Sequence, residues 1–237
     1  MNHRIAKSFG VAFIAAFVLP SWILAADTNT SKLEEPKIID PGPLNGPPSD
    51  AIRLFDGRDL TQWVGGDKWK IEGGMAIVGG ANLESRQAFG DCQLHVEWSA
   101  PENVTKSGQG RGNSGIKFAG KYEVQVLDSY DNVTYFDGQA GAVYKQHPPL
   151  VNASRKPGEW QIYDIIYTAP RWDADGTLVN PGRVTVLHNG VVVQNNSEIK
   201  GVTGGNAGYS PHAEKMPLLI QNHGNPVKYR NIWIREL

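Results

Sequence analysis

The run Gly112-Asn-Ser-Gly-Ile-Lys-Phe-Ala-Gly-Lys-Tyr-Glu-Val-Gln-Val-Leu-Asp-Ser129 holds two short alternating segments, 115–119 and 122–127, joined by a Gly120-Lys121 turn. Side chains alternate faces along an extended strand, so Tyr122, Val124 and Val126 point one way and Glu123 and Gln125 the other. The two polar groups then stand roughly 6.7 Å apart along the strand. The Tyr/Val face is core. An acid and an amide on the other face, flanked by Asn113-Ser114 and Asp128-Ser129, mark the place to look for a site.

Outward from this run, short strand patterns recur. They fall at 52–55, 69–72 and 75–78 around Gly73-Gly74, 83–85, 92–99, 160–168, 218–221 and 229–235. The plainest local signal is 183–194, where two β-rich arms meet at Asn189-Gly190, the favoured type I′ hairpin turn. No stretch sustains a helical period. Many short strands with glycine turns predict an all-β, two-sheet antiparallel jelly-roll sandwich over residues 51–237. An outer sheet face lined by amides and aromatics suits sugars, which offer hydroxyls and apolar C–H faces.

The termini read differently. Arg4 and Lys7 precede an apolar run from Phe9 to Leu24 that ends at Ala25-Ala26. This predicts a cleavable secretory signal peptide over 1–26, and hence a secreted or periplasmic protein. Pro20 and the length of the run argue against a spanning anchor, so no membrane association is expected after cleavage. Residues 27–50, with Asp40-Pro-Gly-Pro and Gly46-Pro-Pro, predict a flexible linker. The formal charge of −1 and the lack of a basic, aromatic-interleaved run argue against nucleic acid as a partner. Cys92 is the single cysteine, which excludes an internal disulfide and a cysteine-based zinc site. Gly108-Gln-Gly-Arg-Gly112 does not lead into a helix-forming sequence, so it is not read as a phosphate loop.

Taken in order, several blocks resemble one family: Leu54-Phe-Asp-Gly-Arg-Asp-Leu60 with Trp63, Gly112-Asn-Ser-Gly-Ile116, Tyr122-Glu-Val-Gln-Val-Leu-Asp128 and Gly141-Ala-Val-Tyr144. Gly158-Glu-Trp160, His188-Asn-Gly190, Gln221-Asn-His-Gly-Asn-Pro-Val227 and Tyr229-Arg-Asn-Ile232 continue the pattern. The family is the 3-keto-disaccharide hydrolase (3-keto-glucoside lyase/hydratase) domain, within the concanavalin A-like lectin/glucanase fold group. The resemblance implies a carbohydrate substrate already oxidised to a ketone at sugar carbon 3. The ketone acidifies the proton on carbon 2. A base removes it, the aglycone leaves from carbon 1, and water adds back.

On that resemblance Glu123 is the candidate base and Gln125 its ring-hydroxyl partner. His223, in an exposed-looking Asn-His-Gly turn, is a candidate acid, base or ligand, and Arg230 would polarise the ketone oxygen. Asn113, Asp128, Tyr144 and Gln221 are candidate sugar contacts. No cofactor motif is present, although carboxylates near His223 could hold a divalent metal ion. Glu123, Gln125, His223 and Arg230 are expected to meet in one cleft. A carbohydrate-binding module without catalysis is the rival class on the same fold. A laminarinase-like glucanase fits less well, because its active strand carries paired glutamates where this one has Gln125 after Glu123.

Overall fold

A computed structural model of the chain describes residues 33–205 and 208–237. The expected signal peptide, 1–26, and the linker as far as residue 32 lie outside the described residues. Residues 33–38 form no regular structure.

Fifteen strands follow in order: β1 (Ile52–Phe55), β2 (Trp63–Val64), β3 (Lys70–Glu72), β4 (Met75–Ile77), β5 (Leu83–Phe89), β6 (Cys92–Ser99), β7 (Ser114–Phe118) and β8 (Tyr122–Val126). They continue as β9 (Gln161–Thr168), β10 (Arg171–Trp172), β11 (Leu178–Asn180), β12 (Arg183–His188), β13 (Val191–Glu198), β14 (Met216–Ile220) and β15 (Lys228–Glu236). Helix among the described residues is confined to three short 3-10 turns. None is long and apolar enough to cross a membrane.

Two antiparallel sheets carry the fold. The larger runs β13-β12-β9-β6-β15-β4-β3, with β1 also paired to β15. The smaller runs β2-β5-β14-β7-β8. The all-β sandwich expected from the alternating segments is what forms. Asn189 and Gly190 both take positive φ, 55° and 81°, as a type I′ turn requires.

Between the sheets lie Leu94, Trp98, Tyr163, Ile165 and Tyr229 from the larger sheet, against Ile116, Val124, Val126 and Ile220 from the smaller. Two of the aromatics carry polar tips that reach across the core, where an unpaired hydroxyl would be costly. Tyr163 donates to the Gln125 carbonyl at 2.8 Å, and Tyr229 donates to Ser114 Oγ at 2.7 Å. Ser114 in turn donates to the Gln221 carbonyl at 2.6 Å. The larger sheet thus fixes the positions of β7, β8 and the end of β14 from behind.

The linker expected to run free to Asp50 does not. Residues 39–50 belong to the same compact unit as the sandwich. Ser49 and Asp40 close a loop by mutual hydrogen bonds of 2.9 and 3.0 Å, and Arg235 donates to Asp50 at 2.8 Å. The prolines that read as linker stiffen this loop, and Asn231 ties its Asn45 carbonyl to β15 at 2.8 Å.

Candidate active site

Register on the smaller sheet determines which side chains share a face. Val64 pairs with Glu84, Glu84 with Leu219, Leu219 with Lys117 and Lys117 with Glu123. Val124 bridges Val143, and the Tyr144 amide donates to the Glu123 carbonyl at 3.1 Å, which sets Tyr144 opposite Glu123. Lys117, Glu123 and Tyr144 are therefore cross-strand neighbours on the outer face. The next row is Gln221, Gly115, Gln125 and Ala142: Gln221 donates to the Gly115 carbonyl at 2.8 Å and Gln125 to the Ala142 carbonyl at 3.0 Å. Of the two small residues flanking Gln125, Gly115 leaves room for the Glu123 side chain.

The predicted register holds. Tyr122, Val124 and Val126 face the core, and Glu123 and Gln125 face outward. What the alternation did not reveal is that the outward pair is also buried, at 4% and 0% exposure. The cause is the segment 135–147, which reads as loop apart from a short strand at 142–144. It runs along the open edge of β8 and satisfies that edge's backbone groups through Gly141, Ala142 and Tyr144. Thr203 completes the cover by accepting from the Glu123 amide at 3.0 Å.

Glu123 leans over Gly115, where any Cβ would overlap its carboxylate. One carboxylate oxygen lies 3.2 Å from Lys117 Nζ. The Gln125 carboxamide, assigned with its NH2 toward Glu123, donates to the other oxygen at 3.0 Å and to the Ser114 carbonyl at 3.2 Å. Burial pushes the Glu123 carboxyl above the usual carboxylate range, against the opposing pull of Lys117 and of His223. A rigid, desolvated carboxylate with a raised pKa beside a single ammonium is suited to moving a proton.

Four of the sequence-predicted residues belong to this face. Gln125 and Gln221 share one row, Tyr144 stands beside Glu123, and His223 is exposed in the turn after β14, within electrostatic reach of Glu123. Asn113 is buried behind Gln125, where its amide donates to the Gln109 carbonyl at 2.7 Å. Asp128 is held in an ion pair with Arg111. One of its oxygens takes both Arg111 donors, at 2.9 and 2.6 Å, and the other takes the Tyr130 amide at 3.2 Å. A cavity of about 610 Å³ is lined by that ion pair together with Lys106, Asn225 and Lys228, and Glu123 is not among its walls.

Arg230 does not join Glu123. It projects from β15, a strand of the larger sheet, where it pairs with buried Glu97 and stacks on Trp160 with its guanidinium carbon 3.9 Å from the ring centroid. Asn231 also donates to Glu97, at 2.8 Å, and His95 lies 3.6 Å away. Burial raises the Glu97 carboxyl, but the hydrogen bonds from Asn231 and Arg230 and the nearby charges outweigh it, leaving a net lowered pKa. This cluster joins β6 to β15 on the other sheet.

Sequence reading missed Lys117, whose alternation places it on the face of Glu123 once the 120–121 turn is accepted, and Tyr135, which no local pattern marks. The Tyr135 and Tyr144 hydroxyls are 2.7 Å apart. Lys145 Nζ sits 3.1 Å from the Tyr135 ring centroid and 3.6 Å from Asp137. No group of three or more His, Cys, Asp or Glu side chains stands at metal-binding distances among the described residues. The donors around Glu123, one carboxylate beside an ammonium, do not suit a divalent cation.

Residues 50–235 match the model of the 3-keto-alpha-glucoside-1,2-lyase-like domain. The chain belongs to that family. A Parabacteroides distasonis protein, provisionally described as a glycosyl hydrolase, shares 44% sequence identity with this lyase-like domain protein. The two superpose with a TM-score of 0.82 over 92% of this chain and 100% of the other. Two further P. distasonis structures with the same description, at 20% and 18% identity and TM-scores of 0.58 and 0.57, share the fold. Each covers 79% of this chain, with 94% and 99% of its own length matched. No curated protein matches the sequence.

Proposed function

We propose that this protein is an exported, carbohydrate-active enzyme that cleaves glycosides carrying a ketone at carbon 3, by elimination followed by hydration. The observation that carries the reading is Glu123: a buried carboxylate with a raised pKa, 3.2 Å from Lys117 and held over Gly115. Family membership and the resemblance to glycosyl hydrolase structures support the carbohydrate class. Ordinary glycosidases need two carboxyls about 5–9.5 Å apart. The other acid in the Glu123 row, Glu84, stands three strands away, about 14 Å at the usual strand spacing. The row instead offers a base and an adjacent cation, which suits proton abstraction next to a ketone.

In this reading Glu123 takes the proton on carbon 2 and Lys117 donates to the ketone oxygen, stabilising the enolate as charge develops. Gln125 holds the carboxylate in place, and Gln221 and His223 contact the ring. The test is to incubate the protein with a 3-keto-glucoside and with the parent glucoside. Aglycone release from the oxidised sugar alone is expected. Binding of the oxidised sugar without release would make the protein a binding module instead.

A further inference from the structure

Elimination leaves one proton unaccounted for. The departing aglycone oxygen needs one, and Glu123, having just taken the proton from carbon 2, cannot be the source. From the geometry of the outer face we infer that Tyr144 supplies it, with Tyr135 as the residue that positions and polarises Tyr144. The inference rests on the reaction proposed above.

Tyr144 is the cross-strand neighbour of Glu123, on the side opposite Lys117. A sugar ring seated over Glu123 with its ketone toward Lys117 therefore turns its other side toward the tyrosine. The phenol is not an isolated surface group. Its hydroxyl is 2.7 Å from that of Tyr135. Tyr135 packs against Gly138, where a Cβ would overlap its ring, and Lys145 Nζ lies 3.1 Å from the ring centroid. Lys145 itself adopts a left-handed backbone, φ 62°, and its amide donates to the Asp137 carbonyl at 2.8 Å. A non-glycine residue in that region is sparsely populated and persists where its surroundings hold it. A loop folded this way places a cation against a phenol pair beside a base.

Tyr135 stays 38% exposed, and partial desolvation, its bond to Tyr144 and the negative charges of Asp137 and Glu123 together push its pKa up. Tyr135 can therefore donate its own proton to the Tyr144 oxygen, which leaves the Tyr144 proton free to turn toward the departing oxygen. The balance closes. Glu123 takes the proton from carbon 2, and that C–H pair becomes the C1=C2 bond. The C1–O pair leaves on the aglycone oxygen, which receives the Tyr144 proton. Water then adds to carbon 1, its proton returns to the Tyr144 phenolate, and Glu123 delivers its proton to carbon 2. Both side chains end as they began.

The experiment compares wild type, Tyr144→Phe and Tyr135→Phe on 3-keto-glucosides with a methyl and with a 4-nitrophenyl aglycone. It also follows deuterium exchange at carbon 2 of a 3-keto-1,5-anhydrohexitol, which has no aglycone to lose. Tyr144→Phe is expected to lose roughly 10²- to 10⁴-fold in kcat/KM on the methyl glycoside, the range of a general acid. It should lose less than about tenfold on the nitrophenyl glycoside, whose oxygen leaves without help, and should keep its exchange rate. Tyr135→Phe should show the same leaving-group dependence, more weakly. Equal losses on both glycosides, or full activity of Tyr144→Phe on the methyl glycoside, would overturn the assignment. Wild type that neither exchanges nor cleaves would instead sink the underlying reaction, and the assignment with it.

Discussion

Replacing Gly115 by alanine tests whether the position of Glu123 matters rather than its mere presence. A Cβ on Gly115 would sit 2.8 Å from Glu123 Cδ and 3.1 Å from Cγ, closer than real side chains approach, with the nearest carboxylate oxygen closer still. The backbone of β7 is paired on both sides, by β14 and β8, so the carboxylate must move, by about 1 Å for ordinary contact distances. Alanine gains about 0.5–1 kcal/mol over glycine within a strand, while forced repacking costs about 1–3 kcal/mol. The net change in stability is therefore modest, about 0–2.5 kcal/mol destabilising. Activity is expected to suffer far more, because a displacement of about 1 Å in a catalytic group costs on the order of 10²-fold. The assay pairs kcat/KM on a 3-keto-glycoside with a urea unfolding curve. A Gly115→Ala protein with wild-type kcat/KM would refute the idea that the Lys117–Glu123 geometry is what the site is built to hold.

Two other expectations concern groups away from the site. His188 is buried between Trp98 and Tyr163 with Nε2 on Gln161 at 3.0 Å, and burial pushes its pKa down to about 4 from 6.5. Between those values the unfolded chain binds the proton and the folded chain does not, so stability should fall by about 3 kcal/mol as pH drops from 6.5 to 4. Denaturant titrations across that range check it, and His188→Leu should flatten the slope. An unchanged slope would mean that another group causes the acid sensitivity. Arg230→Ala should cost about 1–3 kcal/mol, because it strips a partner from buried Glu97, yet leave kcat/KM within about threefold. A large loss of activity in a protein of normal stability would return Arg230 to the site.

The sandwich was legible because its strands obey local rules. The alternation of 122–126 fixes which face is core, Asn189-Gly190 closes β12 and β13, and Gly73-Gly74 closes β3 and β4. Sheet membership was not legible. β14 and β15 are consecutive in sequence and only a short turn apart, yet one joins the smaller sheet and the other the larger, so Arg230 lies on the wrong sheet for Glu123. No period records that choice, because it is set by long-range pairing of β15 with β6. The segment 135–147 was opaque for a similar reason. Only 142–144 reads as a short strand; the segment bonds to β8 through a single bridge and scattered amides, and so Tyr135 and the burial of Glu123 went unread. Asp128 illustrates the opposite limit: its place at a strand end was plain, but its partner Arg111, in a glycine-rich loop, was not.

The base itself is the center of the account. Glu123→Gln keeps the side chain's size and removes its basicity. Burial raises the folded pKa, so the folded chain holds this proton more tightly than the unfolded one and the ionised carboxylate costs stability above the unfolded value of 4.5. The variant should therefore be at least as stable as wild type at neutral pH, with the gain fading as pH falls toward 4.5. The decisive measurement is the turnover of a 3-keto-glycoside by this variant, alongside deuterium exchange at carbon 2 in D2O. A loss of roughly 10²- to 10⁴-fold in both is expected of a general base. Wild-type turnover and exchange in a folded Glu123→Gln protein would contradict the account at its center.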